Sequence, residues 1–165
     1  MTRIGVLSDS HGDWRNLERL ISQMGHVDAV CFLGDIDRDA DHLQELLGTA
    51  PDPPALFAVC GNNDLASLRP YDLLTELGGK RIFMTHGHRY RVRQGTDELV
   101  RKAKSLGAEV ALYGHTHEAY CSYDSGILAV NPGAAGNPWG GRIARGAMLT
   151  IADGRMRVSD VVAGW

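Results

Sequence analysis

The chain has 165 residues, of which 44% are hydrophobic and 22% charged, and its formal net charge is −3 at pH 7. This length predicts one domain over residues 1–165, with enough chain to bury a sizeable core. The acidic balance argues against general nucleic-acid binding and against a membrane surface as partner, and no apolar run reaches transmembrane length.

The N-terminal two thirds of the chain alternate short apolar runs with amphipathic segments. Apolar runs of four or five residues predict strands, and leucines spaced three and four residues apart predict helices. Asp13 is the expected N-cap of the first helix and Gly25 its end. In chain order the predicted elements are strand Ile4–Ser8, a helix from Trp14, strand Ala29–Leu33, helix Asp41–Leu47, strands Leu56–Cys60 and Arg81–Thr85, a helix capped by Thr96, and strand Val110–Tyr113.

The last third changes to short strands separated by turn residues, which predicts an antiparallel tail in a mixed or second sheet. Asp153-Gly154 between two apolar runs is a strong hairpin signal. The Gly-rich segment 131–146 is predicted as a long loop, in which Trp139 either stacks on a substrate ring or packs at a subunit contact. The predicted strands are Ala119–Tyr123, Ile127–Val130, Ala147–Ile151 and Arg157–Val162.

The cysteines indicate a reducing environment. Cys31, Cys60 and Cys121 are odd in number and widely spaced, so we interpret them as free thiols rather than as disulfides or metal ligands. The apolar run after Arg3 is too short for the core of a signal peptide. We therefore expect a soluble cytoplasmic protein.

Polar motifs directly follow the five strands predicted before residue 114. Because ligands collect beyond the carboxyl ends of strands in α/β sheets, these motifs are expected to converge. In extended backbone, residues two apart point to the same side, so Asp-x-His and His-x-His would each present two donors together. The motifs are Asp9-Ser-His11, Gly34-Asp35, Gly61-Asn62-Asn63-Asp64, His86-Gly-His88 and Gly114-His115-Thr-His117.

Carboxylate and amide oxygens mixed with imidazoles predict a metal site. This donor set suits Mn²⁺, Fe or Zn²⁺ better than Ca²⁺ or Mg²⁺. Turns or helix caps explain any one motif alone, but not five in this order. Seven donors exceed the shell of one ion and suit two cations sharing a carboxylate, which can activate water and neutralise a phosphoryl group. The candidate ligands are Asp9, His11, Asp35, Asn62, His86, His115 and His117.

The ordered motifs resemble those of the calcineurin-like metallophosphoesterases, most closely the small single-domain bacterial and archaeal phosphodiesterases. The stretch Asn131-Pro-Gly-Ala134 is similar to an Asn-Pro-Gly-Ser stretch of that subgroup, and the resemblance runs from Ile4 to about Ala134. It implies an α/β (α+β) fold, a four-layer αββα sandwich of two mixed sheets flanked by helices. It also implies a homodimer or homotetramer.

The resemblance further implies a ligand set and a reaction. Two divalent metal ions per chain would be bound, with Mn²⁺ favoured and Fe, Zn²⁺ or Ni²⁺ as alternatives. A hydroxide between the ions would attack the phosphorus of a small phosphate ester, most readily a phosphodiester. The implied ligands are Asp9, His11 and His117 for one ion and Asn62, His86 and His115 for the other, with Asp35 bridging them.

Asn63 departs from the family pattern, since many members have a histidine there that protonates the leaving group or contacts phosphate. An amide can donate a hydrogen bond to phosphate but delivers no proton at neutral pH, and general acid catalysis contributes about 10²–10⁴-fold. We therefore predict a preference for good leaving groups such as aryl esters, unless His88 or a water supplies the proton. Asn63→His should raise turnover of poor leaving groups.

Further residues have weaker assignments. Asn62, Asn63 and Arg89 are the predicted substrate contacts. Asp64 is predicted to orient a neighbouring ligand. If the chain after His88 is extended, its alternating arginines at 89, 91 and 93 share one face and bind phosphate; the alternative is a solvated strand edge.

Three residues near the predicted helices lie outside the motifs. His26 and His42 lie away from every motif and are interpreted as surface residues. Trp14 either lines the site or simply opens its helix.

Two classes of function remain open. The first is a metal-dependent phosphodiesterase, with phosphomonoesterase and nucleotide pyrophosphatase as variants; a nuclease is disfavoured because no basic track is visible. The second is a non-catalytic binding module on the same scaffold, because one eukaryotic retromer subunit in the family acts as a scaffold. A repurposed scaffold is expected to lose ligands, whereas this chain has all seven.

Overall fold

The computed structural model describes residues 1–136 and 143–164. Trp139 lies outside these ranges, as do residues 137–142 of the predicted loop 131–146, whose first two and last two residues belong to strands. The strands are β1 (Thr2–Leu7), β2 (Ala29–Phe32), β3 (Ala55–Ala58), β4 (Asp72–Leu77), β5 (Lys80–Thr85), β6 (Val110–Leu112), β7 (Ala119–Asp124), β8 (Ile127–Pro132), β9 (Arg145–Ala152) and β10 (Arg155–Val162). The helices are α1 (Trp14–Met24), α2 (Asp37–Gly48) and α3 (Asp97–Ser105), with a 3₁₀ turn at His88–Tyr90.

The strands form two mixed five-stranded sheets, in the orders β10-β9-β1-β2-β3 and β4-β5-β6-β8-β7. In the first sheet β1, β2 and β3 are parallel, and in the second β5, β6 and β8 are parallel. The C-terminal strands are divided between the sheets. The prediction of an antiparallel tail is correct for the hairpins β7–β8 and β9–β10 and for the pairing of β9 with β1, but wrong for β8, which also pairs in parallel with β6.

Three apolar clusters define four layers. The inner faces of the two sheets pack together through side chains such as Ile4, Val110 and Leu149. Leu17 of α1 and Leu43 of α2 cover the outer face of the first sheet, while α3 covers the outer face of the second. The predicted sandwich of two mixed sheets flanked by helices is therefore confirmed.

Local signals placed most elements correctly. The Asp13 carboxylate accepts a hydrogen bond from the Asn16 backbone as the N-cap of α1, and Asp153-Gly154 closes the β9–β10 hairpin with positive φ at both residues. Thr96 occupies the N-cap position of α3, but its hydroxyl makes no capping hydrogen bond. Helix α2 begins four residues before its predicted start, at Asp37.

The structure also corrects the strand assignments at the sheet edges. Strand β4 was missed, because it is a half-exposed edge strand whose polar residues interrupt the apolar pattern. Strand β3 is an edge strand too, and it is partly exposed although a ligand motif follows it.

The cysteines are free thiols, as predicted, with Cys31 and Cys60 buried and Cys121 exposed. Within residues 1–136 and 143–164, no helix combines the length and apolarity needed to cross a membrane.

Candidate metal centre

The candidate ligands follow the carboxyl ends of strands from both sheets. Asp9 follows β1, Asp35 follows β2 and His86 follows β5, and all three are buried. The backbone of the Asp-x-His and His-x-His motifs is not extended, so the extended geometry assumed for them is wrong, although Asp9 and His11 do present their donors together. Left-handed backbone, sparsely populated outside glycine and often found at functional sites, occurs at Asp9 (φ 54°), His11 (φ 49°), Asp35 (φ 53°), His115 (φ 70°) and His117 (φ 62°).

One group of donors consists of Asp9, His11 and His117, whose ligand atoms all lie within 4.8 Å of one another. The Nε2 atoms of His11 and His117 are 3.0 Å apart, and His117 Nε2 is 3.3 Å from Asp9 Oδ1. This arrangement of two imidazoles and one carboxylate matches the donor types of Mn²⁺, Fe and Zn²⁺ sites.

The second group is built around His86, with Asp9 and Asp35 within the same limit of 4.8 Å. His86 Nδ1–H donates to the Leu33 carbonyl at 2.7 Å, which orients the ring so that Nε2 faces the cleft and, when unprotonated, presents its lone pair there. Asn62 Oδ1, Asp35 Oδ2 and Asp9 Oδ1 lie 3.0, 3.6 and 3.9 Å from Nε2. An imidazole nitrogen that faces three oxygens requires a cation among them, either a proton on Nε2 or a metal ion in its place, and this set of donors fits a metal ion.

Asp9 belongs to both groups. Its Oδ2 accepts hydrogen bonds from Ser8 Oγ (2.7 Å) and the His115 backbone (2.9 Å), while no described residue donates to the buried Oδ1. Burial alone would raise the pKa of Asp9, but the imidazoles of His117 and His86 and the Ser8 hydroxyl lower it below its usual range. A buried, ionised and unsatisfied oxygen therefore lies between the two donor groups, which is where cations would be held.

Asn63 and Asp64 both hold the Asp35 loop through hydrogen bonds. The backbone N–H and the Nδ2 of Asn63 donate to Asp35 Oδ1 (3.1 Å) and Oδ2 (2.7 Å). Asp64 accepts three backbone N–H bonds, from Asp35 (3.0 Å), Asp37 (2.8 Å) and Gly61 (2.7 Å). A Cβ on Gly61 would lie 1.9 Å from Asp35 Oδ1, so only glycine allows this approach of the two loops.

His115 lies near the other candidate ligands, but an arginine is hydrogen-bonded to its ring. Its ring centroid is 5.1 Å from that of His86, but Arg93 Nε donates to its Nε2 at 3.0 Å. When Nε2 accepts this hydrogen bond, the ring proton is on Nδ1. Either nitrogen can therefore bind a metal ion only after Arg93 moves away. Burial, followed by the charges of His86 and Arg93, lowers the pKa of His115 to about 4, which keeps it neutral.

His88 lies beside the centre, with its ring centroid 5.4 Å from that of His86. Its Nδ1 is buried and makes no hydrogen bond to any described residue. Burial and the neighbouring His86 lower the pKa of His88, so at neutral pH the ring is mostly neutral. A neutral imidazole is a poorer proton donor than the imidazolium that the sequence-based role required.

The arginines after His88 do not share a face, because the chain turns through a 3₁₀ turn and a left-handed Arg91 (φ 50°). The interpretation based on an extended backbone is wrong. Arg89 is exposed, lies 5.0 Å over the Tyr71 ring and has its Nη1 3.9 Å from Asp72, and its contact with substrate stays a prediction. Arg91 pairs with Glu98.

Sequence reasoning missed two residues that hold ligand loops. Buried Asp39 accepts hydrogen bonds from Ser10 Oγ (2.5 Å) and Gly12 N (2.8 Å), on either side of His11. Asn131 Nδ2 donates to the Gly114 carbonyl at 2.9 Å and to Thr116 Oγ1 at 3.0 Å, within the loop of His115. Asn131 was visible only as part of a resemblance, and Asp39 gave no local signal.

The structure also gives the positions of His42 and Trp14. His42 was interpreted as a surface residue, but it is half-buried and lines a cavity that His11 and Trp14 share. Trp14 opens α1 and lines a cavity that the candidate ligand His11 shares. His26 is exposed beside Asp28, as predicted.

Sequence comparisons agree on one family. The family model for the calcineurin-like phosphoesterase superfamily domain matches residues 2–154. The probable metallophosphoesterase YsnB of Bacillus subtilis is 32% identical over 147 residues, covering 88% of this chain and 82% of that protein. Phosphodiesterase MJ0936 of Methanocaldococcus jannaschii is 26% identical over 152 residues, covering 79% of this chain and 82% of that protein.

Solved structures share the fold. The crystal structure of a predicted phosphoesterase from Streptococcus pneumoniae has a TM-score of 0.77 and 33% identity, covering 98% of this chain and 90% of that chain. Zinc-bound Vps29 of Entamoeba histolytica has a TM-score of 0.72 and 19% identity, covering 99% and 100%. At the lower identity the likeness concerns the fold alone.

Proposed function

The chain belongs to the calcineurin-like phosphoesterase superfamily, and we propose that within it the protein is a phosphodiesterase that works with two divalent metal ions. The observation that carries this proposal is the Asp9 carboxylate, whose buried Oδ1 faces His117 on one side and His86 on the other. A single ion does not account for donors on both sides of Asp9, whereas two neighbouring ions do.

The proposed ligands are divided between the ions according to the donor groups around Asp9. His11 and His117 would serve the first ion with Asp9. His86 and Asn62 would serve the second, completed by His115 once Arg93 releases it, and Asp35 would bridge the pair. When bound, such ions lower the pKa of a water molecule and neutralise charge on the phosphoryl oxygens. The mixture of imidazole and oxygen donors favours Mn²⁺, with Fe, Zn²⁺ and Ni²⁺ as alternatives.

The chain's own residues contribute orientation and charge. The Leu33 carbonyl orients the His86 ring, Asn63 holds Asp35, and Asp39 holds the backbone beside His11. Such fixed contacts keep the ligands arranged for the transition state without further reorganisation. No described residue beside the centre is a clear acid for the leaving group, which supports the proposed preference for activated esters.

A small phosphodiester is the proposed substrate class, supported by the name of the relative MJ0936. The acidic net charge of −3 supports a small ester rather than a nucleic-acid chain. A homodimer or homotetramer and a cytoplasmic location stay predictions.

The test uses Mn²⁺-loaded protein and bis(p-nitrophenyl) phosphate. Wild type should release p-nitrophenolate, and Asp35→Ala should lose hydrolysis and metal content measured by mass spectrometry. Asp52→Ala, at an exposed carboxylate, is the matched control and should keep both. An Asp35→Ala protein with full activity would end the proposal. Two bound ions without hydrolysis of any phosphate ester would favour the non-catalytic binding module instead.

A further inference from the structure

A cavity of about 580 Å³ opens directly beside the candidate metal centre. His11 is one of its lining residues, Trp14 and His42 contribute two aromatic rings, and Ile36 adds an aliphatic surface. The lining surface is mainly apolar, and its charged residues are Arg38 and Asp39. The Asp39 carboxylate is buried and accepts hydrogen bonds from Ser10 Oγ and Gly12 N. A concave apolar site next to reactive groups is the usual setting for binding part of a small substrate.

The two rings form a corner. The ring centroids of Trp14 and His42 are 5.4 Å apart, with the planes inclined at 60°. His42 Nε2 lies 3.1 Å from Glu18 Oε1, which holds the imidazole in place. Trp14 is 44% exposed although it is the largest apolar side chain of α1. A planar group in this corner could stack on one ring while presenting its edge to the other.

Trp14 also lines a second cavity. A smaller cavity of about 320 Å³ is lined by Trp14, His11, Arg15 and Asp13, the N-cap of α1, and Arg15 Cζ lies 5.5 Å from the indole centroid. Arg15 and Arg38 form no ion pair with any other described residue. Their positive charge would favour the approach of a phosphate ester to this side of His11.

We propose that the corner of Trp14 and His42 binds an aromatic ester group of the substrate, so that the substrate class is aryl or heteroaryl phosphodiesters. The inference rests on the proposed function. In the reaction, water adds to phosphorus, the bond from phosphorus to one ester oxygen breaks, and that oxygen takes up a proton from the water. A phosphate monoester and an alcohol result, and the corner holds an aromatic group while this occurs.

A rival position lies on the other side of the centre. A cavity of about 550 Å³ there is lined by Arg93, Thr116 and Tyr120, and Tyr120 is 45% exposed. Its lining is more polar, and it lacks a second aromatic ring as close to Tyr120 as His42 is to Trp14, the Tyr113 centroid being 6.5 Å away. Tyr120 is therefore the matched control for Trp14.

The test compares two non-hydrolysable ligands with the same anionic head, phenylphosphonate and methylphosphonate, by calorimetric titration of Mn²⁺-loaded protein. Wild type should bind phenylphosphonate about tenfold more tightly, because only that ligand fills the corner. In Trp14→Ala the preference should fall to about twofold or less with methylphosphonate affinity unchanged, whereas Trp14→Phe should retain most of it. Tyr120→Ala should keep the full preference.

The outcomes separate this inference from the proposed function. Equal affinities in wild type, or a preference that survives in Trp14→Ala, would overturn the assignment of the corner. Loss of the preference in Tyr120→Ala alone would place the ring in the rival cavity and overturn it too. If wild type hydrolyses no phosphodiester, the proposed function fails, while the ring preference is still read from the phosphonate titrations.

Discussion

Asn63 holds both carboxylate oxygens of Asp35, through its backbone N–H to Oδ1 and its Nδ2 to Oδ2. The sequence alone pointed to Asn63 as a substrate contact at a position where the family often has histidine. In the structure its amide is committed to the residue proposed to bridge two metal ions. A contact between Asn63 Nδ2 and phosphate would therefore require the 2.7 Å bond to Asp35 to break.

Asn63→Ala should weaken metal binding and turnover together, because Asp35 loses a donor that fixes its orientation. Loss of such a contact to a metal ligand typically costs about 10–100-fold. Calorimetric Mn²⁺ titration and kcat with bis(p-nitrophenyl) phosphate measure the two effects. Leu65→Ala, fully exposed in the same loop, serves as the control. Unchanged Mn²⁺ affinity and kcat in Asn63→Ala would show that the hydrogen bond from Asn63 Nδ2 to Asp35 has no role in metal binding or turnover.

Asn63→His tests the same position in the opposite direction. A histidine there could supply a proton and raise turnover of poor leaving groups relative to aryl esters, as the sequence predicts. It would also remove the amide bond to Asp35, so the absolute rate with aryl esters should fall. The ratio of kcat for an alkyl ester to kcat for an aryl ester is the informative quantity, and no change in this ratio would contradict a proton-donating role.

Asp64→Asn should destabilise the protein by about 1–3 kcal/mol, because an amide accepts on one side only and leaves a buried backbone N–H without its partner. Asp64 now accepts from three backbone groups across the Asp35 and Gly61 loops. Urea unfolding measures the change, with exposed Asp52→Asn as control. Equal unfolding midpoints for Asp64→Asn and wild type would mean that these bonds do not hold the loops.

Arg93→Ala should raise the affinity for the second metal ion, since Arg93 adds positive charge and donates to His115 Nε2. For partly exposed charges the gain should be about twofold to fivefold. Mn²⁺ titration measures it, and Arg91→Ala, whose guanidinium pairs with Glu98 instead, should leave affinity unchanged. A loss of affinity in Arg93→Ala would show that Arg93 supports the ligand instead of competing for it.

The strands that carry the motifs could be predicted because each is a short apolar run bounded by polar residues. Strand β4 could not, since Leu73, Leu74 and Leu77 alternate irregularly with polar residues at a sheet edge. The division of the C-terminal strands between the two sheets could not be predicted either. Pairing β8 with β6 and β9 with β1 joins segments distant in sequence, and no local pattern encodes that choice.

The donor types of the site were visible in the sequence, but their geometry was not. Left-handed backbone at Asp9 and His11 depends on hydrogen bonds to the neighbouring strand end, such as that from Asp9 N to the Gly34 carbonyl. The corner of Trp14 and His42 arises from the packing of α1 beside α2, which brings together side chains 28 positions apart. Tertiary packing, not local pattern, determines both.

The central claim is that two metal ions act together in one phosphodiesterase site, and one titration tests it most directly. Metal-free protein is titrated with Mn²⁺ while hydrolysis of bis(p-nitrophenyl) phosphate is followed. The account predicts no hydrolysis without metal and a rate that rises until about two equivalents per chain are bound. Hydrolysis that persists in chelator, or that saturates at one equivalent, would contradict it.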